Sequence, residues 1–103
     1  MEKPKFQSLA RHLKRKLPLG VPISIRLRRV PRRRIGDCTS DGTTFLIRVD
    51  PSLGTDEACG TLLHEVAHAL SWGLDGPDED HGEFFRHAER TVWSWYLAWL
   101  RGE

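Results

Sequence analysis

The sequence predicts an α+β fold in which a helix and a small three-stranded sheet precede two further helices. The first observation is the spacing of apolar residues, which changes from a helical period over 6–17 to alternation over 23–27 and later returns to a helical period. The second is the pair Asp41-Gly42, which is typical of a tight hairpin between two strands. The third is an H-E-x-x-H pentapeptide at 64–68, within an apolar-periodic run.

The first helix is predicted from apolar residues at helical spacing, and Pro18 and Gly20 end it. These apolar residues are Phe6, Leu9, Leu13 and Leu17. Basic residues lie between them, so we expect a charged outer face, with His12 exposed and not a ligand. That face is either simply solvated or bound to an anionic partner.

The three strands follow. The first begins at Val21, alternates apolar and polar residues, and ends at Val30-Pro31, because proline cannot donate to a ladder. Three arginines at 32–34 form a basic loop that either binds phosphates or stays solvated and mobile. The second strand is predicted over Ile35–Thr39 and the third over Thr44–Val49. We expect the third strand to cover the helix that follows and to lie along one wall of its site. If the edge of this strand is open, an extended peptide can pair with it.

The pentapeptide lies in a helix predicted from Thr55, as its cap, to Gly73, which ends it. His64 and His68 are four residues apart and lie about one turn apart on one face, so both imidazoles can bind one metal ion. Glu65 lies about 100° further round the helix and is placed to hold the water on that ion as a general base. A stripe of apolar residues lies on the other side: Cys59, Leu62, Leu63, Val66, Ala67 and Leu70.

An acidic turn over 74–80 leads to a last helix predicted over about 81–101. Its inner face repeats at helical spacing through Phe85, Ala88, Val92, Trp95 or Tyr96, and Trp99. Trp93, Leu97 and Leu100 cannot all be buried on that side as well. They are expected to wrap under the sheet or to form an exposed patch through which a homodimer forms.

A hydrolytic zinc site has three protein ligands and one open position for water. The third ligand must lie beyond the acidic turn, and His81 is preferred because the start of the returning helix can fold back over the site. Glu83 and Glu89 are the next choices. The remaining candidates are Asp78, Asp80 and His87.

The run L-L-H-E-V-A-H-A at 62–69, followed by H-G-E-F-F at 81–85, resembles the SprT-like and related minimal zincin metallopeptidases. In that group an L-L-H-E-x-x-H-A run is followed, after a short insert, by H-G-x-x-F, whose histidine is the third zinc ligand. The resemblance implies a minimal zincin-like domain. Its implied residues are His64, His68 and His81 as zinc ligands, Glu65 as general base and Phe85 as a packing aromatic. The four-cysteine zinc ribbon that SprT-like proteins often carry has no counterpart in this sequence.

At 103 residues the chain is expected to form one domain over 1–103, and its 39% hydrophobic and 29% charged residues are typical of a globular protein. Residues 1–50 hold 13 Lys/Arg and 4 Asp/Glu, a net +9, whereas residues 51–103 hold 3 and 10, a net −7. The basic half indicates a nucleic-acid partner. Cys38 and Cys59 are expected to be reduced. No secretory signal or membrane span is recognised, so a cytoplasmic protein with no membrane partner is predicted.

The predicted function is zinc-dependent hydrolysis of peptide bonds, with activity that is weak or dependent on a partner because so small a chain builds little wall around a substrate. The oxyanion stabiliser is left open among Arg86, His87 and Tyr96. The alternative is an inactive scaffold that binds nucleic acid or protein. Its zinc is then closed by a fourth ligand, such as Cys38, Asp80 or His87.

Overall fold

The computed structural model describes residues 1–18, 20, 22–76 and 81–102, and it has the predicted α+β fold. Its elements are, in chain order, α1 (Lys3–Lys16), β1 (Ile23–Leu27), β2 (Gly36–Ser40), β3 (Phe45–Val49), α2 (Thr55–Leu70) and α3 (Glu83–Leu100). No helix in this part of the chain combines the length and apolarity that spanning a membrane requires. The structure thus consists of three helices packed against a sheet of three short strands.

The strand order in the sheet is β1-β3-β2, with β1 parallel and β2 antiparallel to β3. The central strand β3 buries Phe45, Ile47 and Val49 against the helices, as its alternation predicts. Because β3 has a neighbour on each side, the prediction that this strand lines the site with an open edge is wrong. The edge strand β2 occupies that position instead, and β1 forms the opposite edge.

The core lies between the inner face of the sheet and the three helices. The predicted stripe of α2 is buried throughout, except that Leu70 is half-buried. Phe85, Ala88 and Val92 of α3 are buried as predicted, while the aromatic residues at 95, 96 and 99 are half-buried.

Two predictions about α3 and α1 have different outcomes. Trp93, Leu97 and Leu100 are all exposed on α3, so the predicted apolar patch is present, and the homodimer through it stays a prediction. His12 was expected to be exposed, but it is buried. Its Nε2 lies 2.9 Å from the carbonyl oxygen of Trp95, which joins α1 to α3. The basic residues around His12 predicted an exposed side chain. Its burial results from contact with α3, which is distant in sequence.

The predicted cap of α2 is also wrong. Gly54 is the N-cap, and the helix itself begins at Thr55. The Thr55 hydroxyl oxygen instead accepts a hydrogen bond of 2.7 Å from the backbone N–H of Glu2, which ties the start of the chain to α2. The helix ends at Leu70, and Gly73 adopts a φ of 76° in the turn that follows, as suits a residue without a side chain.

The predicted hairpin between β2 and β3 is confirmed. The carboxylate of Asp41 accepts hydrogen bonds of 2.8 Å from the backbone N–H groups of Thr43 and Thr44, and these bonds lower its pKa to about 2. Gly42 has a φ of 90°, which favours glycine at the turn.

Gly36, the first residue of β2, allows this strand to lie directly against α2. A Cβ atom at this position would lie 2.5 Å from Cγ2 of Thr61, 3.2 Å from the carbonyl oxygen of Arg48 and 3.4 Å from Cγ of Glu65. Any side chain must therefore push the strand away from the helix or displace Thr61.

We expect Gly36→Ala to lower the free energy of unfolding by about 1–3 kcal/mol, because the methyl group overpacks the contact between β2 and α2. Urea unfolding followed by circular dichroism measures the change. Gly20→Ala is the matched control, since a Cβ atom there meets nothing within 4 Å. Equal stability of the two variants would show that β2 adjusts to the methyl group without cost.

Candidate metal centre

The side chains of His64, His68 and His81 converge at one end of a cleft. Nε2 of His81 lies 3.3 Å from Nε2 of His64 and 3.2 Å from Nε2 of His68. Among the described residues these three form the group whose ligand atoms could hold a metal ion. The fold therefore brings together the three residues that the sequence predicts as ligands.

The spacing of the three nitrogens fits a single zinc ion. Nitrogens bound to tetrahedral zinc at about 2.0–2.1 Å stand about 3.3–3.4 Å apart, and the distances between these imidazoles are close to that value. Neutral imidazole is a preferred zinc ligand, and three such ligands leave a fourth position for water or substrate. Both the donor set and its geometry are suited to zinc.

The ring of Phe85 packs against all three imidazoles. Its ring centroid lies 5.1 Å from that of His64, 4.4 Å from that of His68 and 4.7 Å from that of His81. The side chain is 3% exposed and belongs to the core. The aromatic residue thus limits the orientations available to all three rings, which is the packing role that the family resemblance implies.

Glu89, an alternative third ligand from the sequence, faces the other nitrogen of His64. Its Oε2 lies 3.5 Å from Nδ1 of His64, on the side of the ring away from the three Nε2 atoms. A carboxylate in this position orients a ligating histidine and favours the proton on Nδ1. The geometry therefore gives Glu89 a supporting place beside His64.

The other candidate ligands have different positions. Glu83 is exposed in the first turn of α3, and His87 is exposed further along it. Asp78 and Asp80 lie outside the described residues. Cys38 lines the cleft but is not among the three converging side chains, and burial together with the charges of Glu65 and Asp37 raises the pKa of its thiol to about 12. Its place outside the group of three separates it from the candidate ligands.

Asp75 fixes the place where α3 begins. Its two carboxylate oxygens accept hydrogen bonds of 2.8 and 2.9 Å from the backbone N–H groups of Phe84 and Phe85. These are donors that the first turn of a helix leaves without an internal partner, and the negative charge suits that end of the helix. His81 lies two residues before the helix begins, so the contact that fixes this first turn also limits where the third imidazole can lie. The sequence gives little sign of this contact, because the cap lies eight residues before the helix begins.

Glu65 lies on the wall of the same cleft and is 8% exposed. The cleft has a volume of about 350 Å³ and is also lined by four consecutive residues of β2, from Gly36 to Thr39. The side chains of consecutive strand residues point to opposite faces of the sheet. A cleft that all four residues line must therefore follow the backbone edge of β2. The group of three histidines thus opens onto a sheet edge that has no strand neighbour in the described part of the chain.

Arg34 also lines the cleft, and sequence reasoning missed it within the loop at 32–34. Arg32 and Arg33 have φ values of 61° and 58°, an unfavourable conformation for residues with side chains, and they lead the chain into β2.

The three residues predicted as oxyanion stabilisers, Arg86, His87 and Tyr96, are not among those that line the cleft. Arg86 instead lies 3.5 Å from the carbonyl oxygen of His81, and Tyr96 packs between Trp93 and Trp99.

Three converging imidazoles, a neighbouring carboxylate and an open strand edge describe a candidate metal centre within an α+β fold. The SprT-like family model matches residues 3–98, so the chain belongs to the SprT-like family. No curated protein matches it significantly. The match extends from the start of α1 almost to the end of α3, well beyond the motifs at 62–85.

We expect Asp75→Ala to weaken zinc binding by about tenfold or more, because it releases the start of α3 and with it His81. Competition with a coloured chelator measures the zinc affinity, and urea unfolding measures stability. Asp41→Ala is the matched control, since it removes a carboxylate that accepts backbone hydrogen bonds far from the site. Loss of stability in both variants with unchanged zinc affinity would mean that Asp75 has no special role at the metal centre.

Proposed function

We propose that the protein is a zinc-dependent metallopeptidase, with His64, His68 and His81 as the zinc ligands and Glu65 as the general base. The observation that carries the proposal is the spacing of 3.2–3.3 Å between Nε2 of His81 and those of the other two histidines. A buried carboxylate beside them and an open strand edge support hydrolysis of a polypeptide. Membership of the SprT-like family is compatible with this function.

A zinc ion bound here would supply a Lewis acid that polarises a carbonyl group and lowers the pKa of water. Glu65 takes the proton from the attacking water and then delivers it to the leaving amine. Its low exposure keeps this proton exchange away from bulk solvent. Phe85 and Glu89 act indirectly, because they hold the imidazoles and do not face the reacting atoms.

The free edge of β2 is suited to hold the substrate in extended form. In the antiparallel ladder Asp50 donates its N–H to the carbonyl oxygen of Ile35, and Asp41 donates to Thr44, so the odd-numbered residues of β2 pair with β3. The N–H and C=O groups of Gly36 and Cys38 therefore point the other way, towards the cleft. A peptide that adds to this edge carries its scissile bond past Glu65.

Arg34 is the group that we propose for stabilising the oxyanion. Its guanidinium always carries a charge, and the residue shares the cleft with Glu65 and the three histidines. A cation on this side faces the negative charge that develops on the carbonyl oxygen as water attacks. Arg34 is preferred to Arg86, His87 and Tyr96 because those three are not among the residues that line the cleft.

We expect Glu65→Gln to abolish hydrolysis of an unfolded protein substrate while one zinc per chain remains bound, since the amide keeps the shape but cannot take a proton. His81→Ala is expected to lose both zinc and activity. His87→Ala is the control, because this exposed histidine lies outside the group of three. Elemental analysis and gel-based proteolysis give the two readouts.

The same measurements separate the alternatives. Retained activity in Glu65→Gln would contradict the mechanism. Bound zinc without cleavage in the wild-type protein, with or without DNA, would favour the binding module on an inactive scaffold.

We expect Arg34→Ala to lower kcat by about a hundredfold with a smaller change in KM, which is the signature of a group that acts in the transition state. Arg34→Lys should recover part of the loss, because it restores the charge without the planar fork. Arg33→Ala is the neighbouring control, since Arg33 does not line the cleft. A rise in KM alone would assign Arg34 to substrate binding and contradict the oxyanion role.

A further inference from the structure

A second groove lies beside the opposite edge strand of the sheet, away from the candidate metal centre. It runs between α1 and β1, has a volume of about 420 Å³, and is called here the α1–β1 groove. Four consecutive residues of β1, Ser24 to Leu27, line it, so it follows the backbone edge of this strand as the cleft follows that of β2. Phe6 and Ala10 of α1 provide an apolar floor.

The backbone of β1 has hydrogen-bonding groups on the side of this groove that no other strand pairs with in the part of the chain that the structure describes. Pro22 accepts a hydrogen bond from Phe45, and Arg28 donates one to Val49, so the even-numbered residues of β1 face β3 in the parallel ladder. The N–H and C=O groups of Ile25 and Leu27 therefore point away from β3 and towards α1. An edge of this kind pairs readily with another extended chain.

The side chains that border the α1–β1 groove carry only positive charge. Arg11 and Lys14 of α1 and Arg26 of β1 line it, and no acidic residue does. None of these three has an ion-pair partner among the residues that the structure describes. Arg26 also lies next to Arg48 in the ladder, but Arg48 pairs with Asp37 on β2, so this neighbour does not bring a carboxylate to Arg26.

We propose that the α1–β1 groove binds an acidic segment of a partner protein in extended form, paired with the edge of β1. A peptide backbone supplies both donors and acceptors, and so it satisfies the N–H and C=O groups of Ile25 and Leu27 together. A nucleic-acid backbone supplies mainly acceptors, which leaves the carbonyl oxygens of the edge without partners. This surface is separate from the metal centre, and the proposal does not depend on peptidase activity.

The test uses the peptide (Glu-Val)₄, blocked at both ends, with the 103-residue chain carrying Glu65→Gln so that the probe is not cut. Binding is measured by fluorescence anisotropy and located by hydrogen exchange of single amides in NMR spectra. We expect slowed exchange at Ile25 and Leu27. Arg26→Glu should weaken binding by about tenfold or more, because the charge that faces the peptide is reversed.

Two controls isolate the two parts of the recognition. Arg15→Glu changes the same charge on an exposed position of α1 that does not line the groove, and it should weaken binding much less than Arg26→Glu. The peptide (Glu-Pro)₄ keeps the charge but cannot form a strand ladder, and it should bind at least about tenfold more weakly.

Four results would overturn the proposal. The first is no binding of (Glu-Val)₄, and the second is slowed exchange only at Gly36 and Cys38, which places the peptide at β2. The third is binding of single-stranded oligothymidine that Arg26→Glu abolishes, without slowed exchange at Ile25 and Leu27, which would make the groove a nucleic-acid site. The fourth is concentration-dependent self-association that protects β1, in which the acidic half of a second copy is the occupant.

Discussion

The metal centre depends on how α3 packs against α2. An H-E-x-x-H helix supplies two imidazoles wherever it folds, since their spacing is a property of the helix alone. The third must come from a separate segment, and here it comes from His81, two residues before α3 begins. Burial of Phe85 against all three imidazoles and the cap provided by Asp75 act on the same turn. The chain therefore uses its hydrophobic core to position the three polar side chains.

The sheet meets this helix pair through a contact that only glycine permits. Gly36 brings the backbone of β2 against Thr61 and Glu65, so that a strand edge and the proposed general base share one narrow cleft. The ion pair between Asp37 and Arg48 lies on the opposite face of β2, where it links this edge strand to β3. Tight packing on one face and an ion pair on the other hold a five-residue edge strand in place, although it has a strand neighbour on one side only.

Local patterns predicted the elements well, and contacts distant in sequence account for what they missed. Alternation and helical periods located all six elements, and the i, i+4 spacing with a following histidine identified the three converging residues. The sequence predicted β3 beside the cleft, but β2 lies there. Strand order depends on the crossover from β1 to β3, and no local pattern encodes that crossover. His12, Asp75 and Arg34 share this cause. Each is an ordinary charged or polar residue in its own segment. His12 contacts Trp95, Asp75 binds the start of α3, and Arg34 lines the cleft where the chain enters β2.

A sheet of three strands has two edges, and this chain treats them differently. A simple defence against aggregation needs only a charged side chain or a covering helix at each edge. At β1 the helix α1 stands beside the edge but leaves a groove, and three cations surround that groove without an acid to offset them. Like charges that border one groove repel one another, and neither a covering helix nor a charged side chain at the edge requires three of them. The acidic segment proposed for this groove would remove that repulsion, whereas β2, with Glu65 beside it, borders the candidate metal centre.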